Sequence, residues 1–343
     1  MRTPLTDLLG IQYPILLPGM SWISTPPLVA AVSQAGGLGI LATGPLTPPQ
    51  TRTAIAEIQA LTDKPFGIGC TLLMPGAREN AEVALEERAP VINFSLGKGE
   101  WLVPRCHAYG GKVIATVTTV RHARSAQRSG VDALLVTGHE AAAHGGEVTS
   151  LVLVPTIADA VELPVIAGGG FADGRGLLAA LTLGAAGVAM GSRLATTRES
   201  PLHATVKQTI IEKSADETVY SPHFDGLPAR YMKTPTALRL TRQPMSFWRS
   251  ALQATQAARL VGQPVGKILL GLLTRIEQVK LLTYFGAAVP RLRAATEAGD
   301  LEYGMQFIGQ VQGLIQDVPT VQEVFERILN EVRQAHQRTG EYL

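Results

Sequence analysis

The chain has 343 residues, of which 46% are hydrophobic and 17% are charged, so it can bury a large core and is not a disordered polymer. Its formal net charge of +2 is too small to indicate a nucleic-acid partner for the whole chain. Two cysteines, Cys70 and Cys106, exclude a disulfide framework and a zinc cluster. The first residues lack an apolar signal region, and no apolar run reaches about 18 residues, so we expect a cytoplasmic protein without a membrane span.

Short apolar runs of strand length alternate with longer amphipathic runs through the first 200 residues. This alternation indicates βα units and a parallel sheet. An open doubly wound sheet has the same periodicity, but eight strands with glycine turns after the last two favour a (β/α)8 TIM barrel, an α/β fold. The predicted strands are 14–17, 38–42, 66–70, 91–94, 112–117, 133–136, 165–167 and 187–190.

The pattern changes from about Leu202, where Gly and Val become fewer and apolar residues recur at helical spacing. We therefore expect residues 1–203 to form the barrel core. Residues 204–343 are predicted to form a mainly helical subdomain near the barrel mouth, which can also complete the last barrel helix. One apolar stripe of this part suits either a core or a homodimer interface, and it comprises Leu269, Leu272, Leu273, Ile276, Val279 and Leu282.

Basic residues are concentrated between Arg230 and Arg293, where eleven of them stand against one acid, Glu277. One interpretation is a solvated helical face. The other is a basic rim that attracts an anionic substrate, such as a nicotinamide phosphate or an acidic carrier protein.

Glycine turns follow the seventh and eighth predicted strands, at Gly168–Gly170 and at Gly191 with Ser192. Two neighbouring turns of this kind bring backbone N–H groups together and predict a phosphate site. Asp173 stands where a dinucleotide fingerprint needs its third glycine, and the chain has no Gly-Lys-Ser/Thr sequence. The turns therefore favour a mononucleotide or monophosphate held by Gly168, Gly169, Gly170, Gly191 and Ser192.

The segment after the sixth strand, from Thr137 to Glu147, contains two histidines five residues apart, His139 and His144. This spacing suits no common metal pair. Small neighbours allow a flat ligand to approach His144, and an imidazole suits proton transfer near neutrality. We predict that His144 is catalytic and that His139 has a structural role.

Two further strand ends offer contacts to a ring system. Gly19 permits close backbone approach after the first strand, and Met20 offers apolar surface beside it. The hydroxyl of Thr71, after the third strand, can bond a ring edge. A sugar-phosphate isomerase or aldolase would need a Schiff-base lysine or a carboxylate pair at the strand ends, and these ends offer neither.

These motifs, in this order and at this spacing, resemble the nitronate monooxygenase (2-nitropropane dioxygenase-like) family of FMN-dependent TIM barrels, over almost the full length. The resemblance rests on Pro14-Ile-Leu-Leu-Pro-Gly-Met20, Ala35-Gly-Gly-Leu38, Pro65-Phe-Gly67, Glu140-Ala-Ala-Ala-His144, Gly169-Gly-Phe-Ala-Asp-Gly174, Met190-Gly-Ser-Arg193, Arg198-Glu-Ser200 and Gln312-Gly-Leu-Ile315.

The resemblance implies an FMN across the barrel mouth, with its phosphate at the two glycine turns. His144 matches the family's active-site histidine, which holds a nitro group and removes a carbon-bound proton. Alkyl nitronates would then be oxidised with molecular oxygen as the final acceptor. The residues that the resemblance places along the isoalloxazine ring are Gly19, Met20, Ser21, Thr71 and Ala142.

The sequence leaves the substrate open between related activities. Quinone reductases that use NAD(P)H and flavin-dependent enoyl-acyl carrier protein reductases share parts of these motifs. Gly69 and Thr116 depart from the family pattern, since they stand where relatives have Asn and, in some members, Lys. FMN binding is compatible with both departures, but neither identifies a nitronate, a quinone or an enoyl thioester as the substrate.

Overall fold

Eight parallel strands close into a barrel, in which β1 pairs with both β2 and β8. The structure, a computed structural model, describes residues 1–142, 144–243, 246, 250 and 276–342. The predicted TIM barrel is confirmed. Its strands are β1 (Ile15–Leu17), β2 (Leu38–Ala42), β3 (Phe66–Thr71), β4 (Val91–Ser95), β5 (Lys112–Val117), β6 (Ala133–Thr137), β7 (Val165–Gly168) and β8 (Gly187–Ala189).

Helices surround the barrel, and several of them begin at a threonine cap, as at Thr119 and Thr320. None of the helices in the described ranges has the length and apolar character needed to cross a bilayer. They are α1 (Pro4–Leu9), α2 (Pro26–Gln34), α3 (Pro48–Leu61), α4 (Ala77–Glu86), α5 (Leu102–His107), α6 (Val120–Arg128), α7 (Ser150–Ala158), α8 (Gly174–Thr182), α9 (Gly191–Ala195), α10 (Ala204–Glu212), α11 (Pro235–Arg242), α12 (Ile276–Ala298) and α13 (Val321–Gly340).

Alternation along the strands divides the core into two parts. In β1, Leu16 belongs to the cluster that fills the barrel interior, whereas Ile15 and Leu17 belong to the cluster between the strands and the helices. The interior cluster also contains Leu5 and Leu9 of α1. Both layers are apolar, which explains why the strands read as nearly continuous hydrophobic runs.

The second part of the chain, predicted to be mainly helical, also contains a small sheet. Two antiparallel strands, β9 (Thr218–Ser221) and β10 (Ala229–Met232), form a separate sheet. Each has only four residues, which is too short for a clear alternation signal. Of the predicted apolar stripe, Leu269, Leu272 and Leu273 lie outside the described residues. Ile276, Val279 and Leu282 belong to α12.

The C-terminal helix α13 packs against α8 of the barrel layer. Their backbones approach closely at Gly174, whose N–H donates to the Glu331 carboxylate at 2.7 Å. A Cβ at Gly174 would lie only 2.5 Å from the backbone nitrogen of Val332. The absence of a side chain at this position therefore allows α13 to cover the barrel.

Replacing Gly174 by alanine should separate α13 from α8 and lower the free energy of unfolding by about 1–3 kcal/mol, as overpacking does in cores. Gly176→Ala, in the same helix, is the matched control. Its Cβ would lie 3.4 Å from Phe171, and it should leave stability unchanged or slightly higher. Thermal and urea unfolding measure the difference, and equal stabilities of the two variants would contradict this packing account.

Candidate active site

A cavity of about 1210 Å³ opens at the carboxyl ends of the barrel strands. This is the end at which TIM-barrel enzymes carry their active sites. All eleven residues that the sequence analysis selected line this one cavity, although five different strand ends supply them. They are Gly19, Met20, Ser21, Thr71, Ala142, His144, Gly168, Gly169, Gly170, Gly191 and Ser192.

The turns after β7 and β8 present backbone donors to the cavity. Gly169 and Gly170 have φ values of 95° and 86°, in the left-handed region that favours glycine. The N–H groups of Gly170, Gly191 and Ser192 make no hydrogen bond to any residue that the structure describes. The Ser192 hydroxyl accepts the N–H of Gly309 at 3.0 Å. The two turns thus form a concave group of donors without protein acceptors.

The loop between β6 and α7 is tied to the glycine turn after β7. The two carboxylate oxygens of Glu140 lie 2.9 and 3.0 Å from the backbone N–H of Ser150, which donates to them. One of these oxygens also lies 3.0 Å from the Ser150 hydroxyl. That hydroxyl lies 2.7 Å from the carbonyl oxygen of Gly169 as well. Glu140 is therefore a structural anchor that holds the start of this loop against the barrel.

The small sheet of β9 and β10 holds the same loop at two further points. The buried Arg230 donates to the His139 carbonyl oxygen at 2.9 and 3.2 Å and to the Thr218 hydroxyl at 3.0 Å. The Tyr220 hydroxyl donates to the Gly145 carbonyl oxygen at 2.8 Å. Because buried carbonyls need donors, these contacts order the loop that carries His144.

His144 is paired with a buried carboxylate. Its Nε2 lies 2.8 Å from Oδ2 of Asp225, a residue of the β9–β10 connection with no exposed side chain. Tyr231 donates its hydroxyl to the same oxygen at 3.2 Å. The ring centroid of His144 lies 5.9 Å from that of Phe307 and 6.3 Å from that of Phe285. The imidazole thus has one ionic partner and otherwise aromatic surroundings.

His139 has the structural position that its sequence context suggested. Its Nδ1 lies 3.1 Å from the Gly146 carbonyl oxygen, and its ring packs edge-on against Tyr220. Cys70 is buried, and burial raises the pKa of its thiol to about 12. At neutral pH the thiol therefore stays protonated and is a poor nucleophile.

The strand ends that depart from the family pattern are occupied by small, hydrogen-bonded groups. The amide of Asn93, in the middle of β4, donates to the Thr116 hydroxyl at 3.1 Å. A Cβ at Gly69 would lie 3.1 Å from the Leu41 carbonyl oxygen, so little room exists there for a side chain. Thr116 lines the cavity without adding a charge there.

Part of the basic segment does not form an open rim. Arg230 and Arg291 are buried, and Arg291 donates to the carbonyl oxygen of Ala287 at 2.9 Å. Arg293 pairs with Glu297 one helical turn away at 2.8 Å. These three side chains have structural partners. Others of the segment, including Arg249, Arg259, Lys267 and Arg275, lie outside the described residues.

Sequence reasoning missed the residues that support His144. Asp225 is 81 positions away from it along the chain, and no spacing rule connects the two. A weak signal exists in the pattern Thr-Val-Tyr-Ser and Ala-Arg-Tyr-Met, which are two short runs rich in β-formers around a Gly- and Pro-containing connection. That pattern predicts a hairpin but not its position beside the barrel mouth.

Arg230→Met should free the His139 carbonyl oxygen and lower the free energy of unfolding by about 1–3 kcal/mol, the range for a buried polar group that loses its partner. Amide hydrogen exchange in the loop between β6 and α7 should become faster. Tyr220→Phe removes the hydroxyl contacts to the carbonyl oxygens of Gly145 at 2.8 Å and Gly146 at 3.4 Å, and is expected to cost about 0.5–1.5 kcal/mol. Unchanged exchange in the Arg230 variant would show that the loop is ordered by other contacts.

Comparison with known proteins agrees with this architecture. The family model described as "Nitronate monooxygenase" matches residues 2–84 and 78–331. The "(3aS,4S,5R,7aS)-5-hydroxy-7a-methyl-1-oxo-octahydro-1H-indene-4-carboxyl-CoA dehydrogenase" of Mycobacterium tuberculosis is 36% identical over 96% of this chain and 95% of its own length.

Two further relatives cover the same barrel. A "Probable nitronate monooxygenase" of Staphylococcus aureus is 32% identical over 67% of this chain and 78% of its own length. The solved structure of FabK from Thermotoga maritima is 38% identical, with a TM-score of 0.83 and full coverage of both chains. The resemblance seen in the sequence is confirmed: this chain is an enzyme of the nitronate monooxygenase family of oxidoreductases.

Proposed function

We propose that this enzyme is an FMN-dependent dehydrogenase of an acyl-CoA thioester, with His144 as the proton acceptor. The observation that carries the proposal is the large cavity that contains one histidine paired with a carboxylate. The substrate class follows the relative named as a carboxyl-CoA dehydrogenase, which aligns with 96% of this chain. The same groups serve the reverse reaction, which adds hydrogen to an unsaturated thioester.

The choice of FMN is supported by the donors at the barrel mouth. The unpaired N–H groups of Gly170, Gly191 and Ser192 suit the phosphate of a mononucleotide. Met20 lies on the cavity wall close to Gly191 and offers apolar surface to an aromatic ring. No group of three or more metal-ligating side chains occurs in the described part of the chain. The residues present therefore fit a flavin mononucleotide.

The chemistry divides between cofactor and protein. When bound, FMN supplies the two-electron acceptor. His144 takes a proton from a carbon that the adjacent thioester carbonyl makes acidic, and the negative charge of Asp225 stabilises the imidazolium that results. Phe285 and Phe307 line the cavity beside His144 and exclude water from the reacting carbon.

The size and shape of the cavity support a large substrate. Its volume exceeds the roughly 300–1,000 Å³ of an ordinary small-molecule site, so FMN leaves space for a second ligand. The cavity extends past Thr71 to the loop after β4 and the start of α6, where Lys98 and His122 line it. Both are exposed, and Lys98 has no ion-pair partner among the described residues. Lys98 is thus available to a phosphate of a CoA arm, beside the carboxylates of Glu79 and Glu100 that line the same cavity.

Oxidation of an alkyl nitronate is the second candidate. Its specific support is the 32% identity to the probable nitronate monooxygenases. On a neutral nitroalkane, His144 would remove the carbon-bound proton in the same way. On a preformed nitronate anion that proton is already absent, so His144 would matter far less. The two kinds of substrate therefore give different dependences on one residue.

Gly191→Leu should release FMN without unfolding the protein. Gly191 has no positive φ, and a Cβ there would point toward Met20 at 3.4 Å within the cavity. We expect FMN affinity to fall by at least about tenfold, or about 1.4 kcal/mol, whereas Gly191→Ala keeps most of it. Flavin absorbance after desalting and unfolding by circular dichroism give the two readouts. Normal FMN affinity in the leucine variant would exclude the phosphate position.

The substrate class is tested by anaerobic mixing of the FMN-loaded enzyme with three reductants in turn. These are a saturated cyclic carboxyl-CoA, such as cyclohexanecarboxyl-CoA, then 2-nitropropane as its anion, and then NADPH. Bleaching of the flavin by the thioester supports the proposal. Reduction by the nitronate alone supports the second candidate. Reduction by NADPH alone would replace both with a reductase that acts on a quinone or an enoyl thioester.

His144→Ala should slow reduction by the thioester by about 10²–10⁴-fold, the usual contribution of a positioned general base. His107→Ala is the matched control, because His107 also pairs with an aspartate, Asp132, at 2.8 Å but does not line the cavity. Stopped-flow absorbance measures both rates. Equal rates in the two variants would mean that His144 does not accept the proton.

A further inference from the structure

The two ring nitrogens of His144 have different surroundings. Nε2 lies 2.8 Å from a carboxylate oxygen of Asp225, whose side chain is fully buried. Nδ1 has no hydrogen-bond partner among the residues that the structure describes. The ring itself is 19% exposed and lines the cavity. One nitrogen is thus engaged with the protein interior and the other remains for a ligand.

The other contacts of Asp225 determine which atoms of its carboxylate accept hydrogens. Oδ1 accepts the backbone N–H of Leu227 at 3.1 Å. Oδ2 accepts the Tyr231 hydroxyl at 3.2 Å, in addition to its contact with His144. Burial, and then the negative charge of Asp225, raise the pKa of Tyr231 well above its usual value, so this hydroxyl keeps its hydrogen. An ionised carboxylate has no hydrogen to donate and acts only as an acceptor.

Because Oδ2 can only accept, the hydrogen between Asp225 and His144 must be on Nε2. We propose that Asp225 is a positioning residue that holds neutral His144 in its Nε2–H tautomer, so that Nδ1 is the proton-accepting atom facing the cavity. That Nδ1 accepts a proton from the substrate rests on the proposed function. The tautomer itself does not depend on the substrate.

The remaining neighbours of the ring do not compete with Asp225. Phe285 of α12 and Phe307 after it face the imidazole with uncharged rings. Within the described ranges, Asp225 of the β9–β10 connection is the titratable group that contacts the ring, and Tyr231 contacts only that carboxylate. The two stacked rings of Tyr231 and Phe307, 4.2 Å apart, keep the tyrosine hydroxyl directed at the carboxylate. A single acceptor therefore sets the orientation and tautomer of His144.

The direct test is NMR of the FMN-loaded enzyme with ¹⁵N-labelled histidine, at a pH where imidazole rings are neutral. The two tautomers give distinct patterns of ¹⁵N shifts and couplings. Signals that disappear in His144→Gln identify His144. We expect hydrogen on Nε2 and a nitrogen of acceptor type at Nδ1. An Nδ1–H pattern in the unmodified enzyme would overturn the proposal without any variant of Asp225.

The variant Asp225→Asn gives a sharper test, because the backbone N–H of Leu227 determines how the new amide group is oriented. The backbone N–H of Leu227 can only donate, so the amide oxygen takes the Oδ1 position and the NH₂ group faces His144 and Tyr231. The Tyr231 hydroxyl can rotate to accept from this group. That NH₂ group donates to Nε2, so the single hydrogen of the neutral ring must be on Nδ1. In this tautomer Nδ1 cannot accept a proton from the substrate. In serine proteases the corresponding amide lowers kcat by about 10⁴-fold.

We expect Asp225→Asn to exchange the NMR pattern of His144 and to lower kcat for reduction by the thioester by about 10²-fold or more, with KM nearly unchanged. Asp132→Asn, at the histidine–aspartate pair outside the cavity, should leave kcat and the His144 signals as in the unmodified enzyme. Unchanged His144 signals in folded Asp225→Asn would refute the positioning role. If no thioester reduces the flavin, the proposed function fails, while the NMR result still decides the role of Asp225.

Discussion

Barrel closure is the constraint on which the site depends. Pairing of β1 with β8 brings the carboxyl ends of all eight parallel strands to one rim. Residues that are far apart in the chain, such as Gly19 and Gly191, then share one cavity wall. Two sets of glycines serve this geometry in different ways. Gly169 and Gly170 provide left-handed turns at the rim, whereas Gly174 allows α13 to approach and cover the barrel wall.

A barrel rim alone does not order a catalytic loop, because loops at this end are joined to the scaffold only at their two ends. Here Glu140 anchors the loop to Ser150, and Arg230 holds the carbonyl oxygen of the neighbouring His139. The small sheet that carries Arg230 also supplies Asp225, the partner of His144. The second part of the chain is thus a support for the active-site loop as well as a cover.

This arrangement helps to explain why one scaffold serves related oxidoreductases. The glycine turns and His144 form a common centre at the barrel rim. Away from this centre, the cavity lining has two chemically distinct regions. One is the aromatic wall at Phe285 and Phe307, and the other is the end at Lys98. Substrate choice therefore lies in the parts added around the common centre.

The sequence by itself determined the barrel and its glycine turns, and it placed His144 in the loop after the sixth strand. These features depend on local periodicity and on residues that adjoin strand ends, which the order of the chain displays directly. The strand predictions for β2 and β5 agree with the structure to the residue. Only the tertiary structure decided what faces His144. Asp225 and Arg230 belong to short strands and connections with weak periodicity, and their role arises from a contact across 81 positions, which no local pattern records.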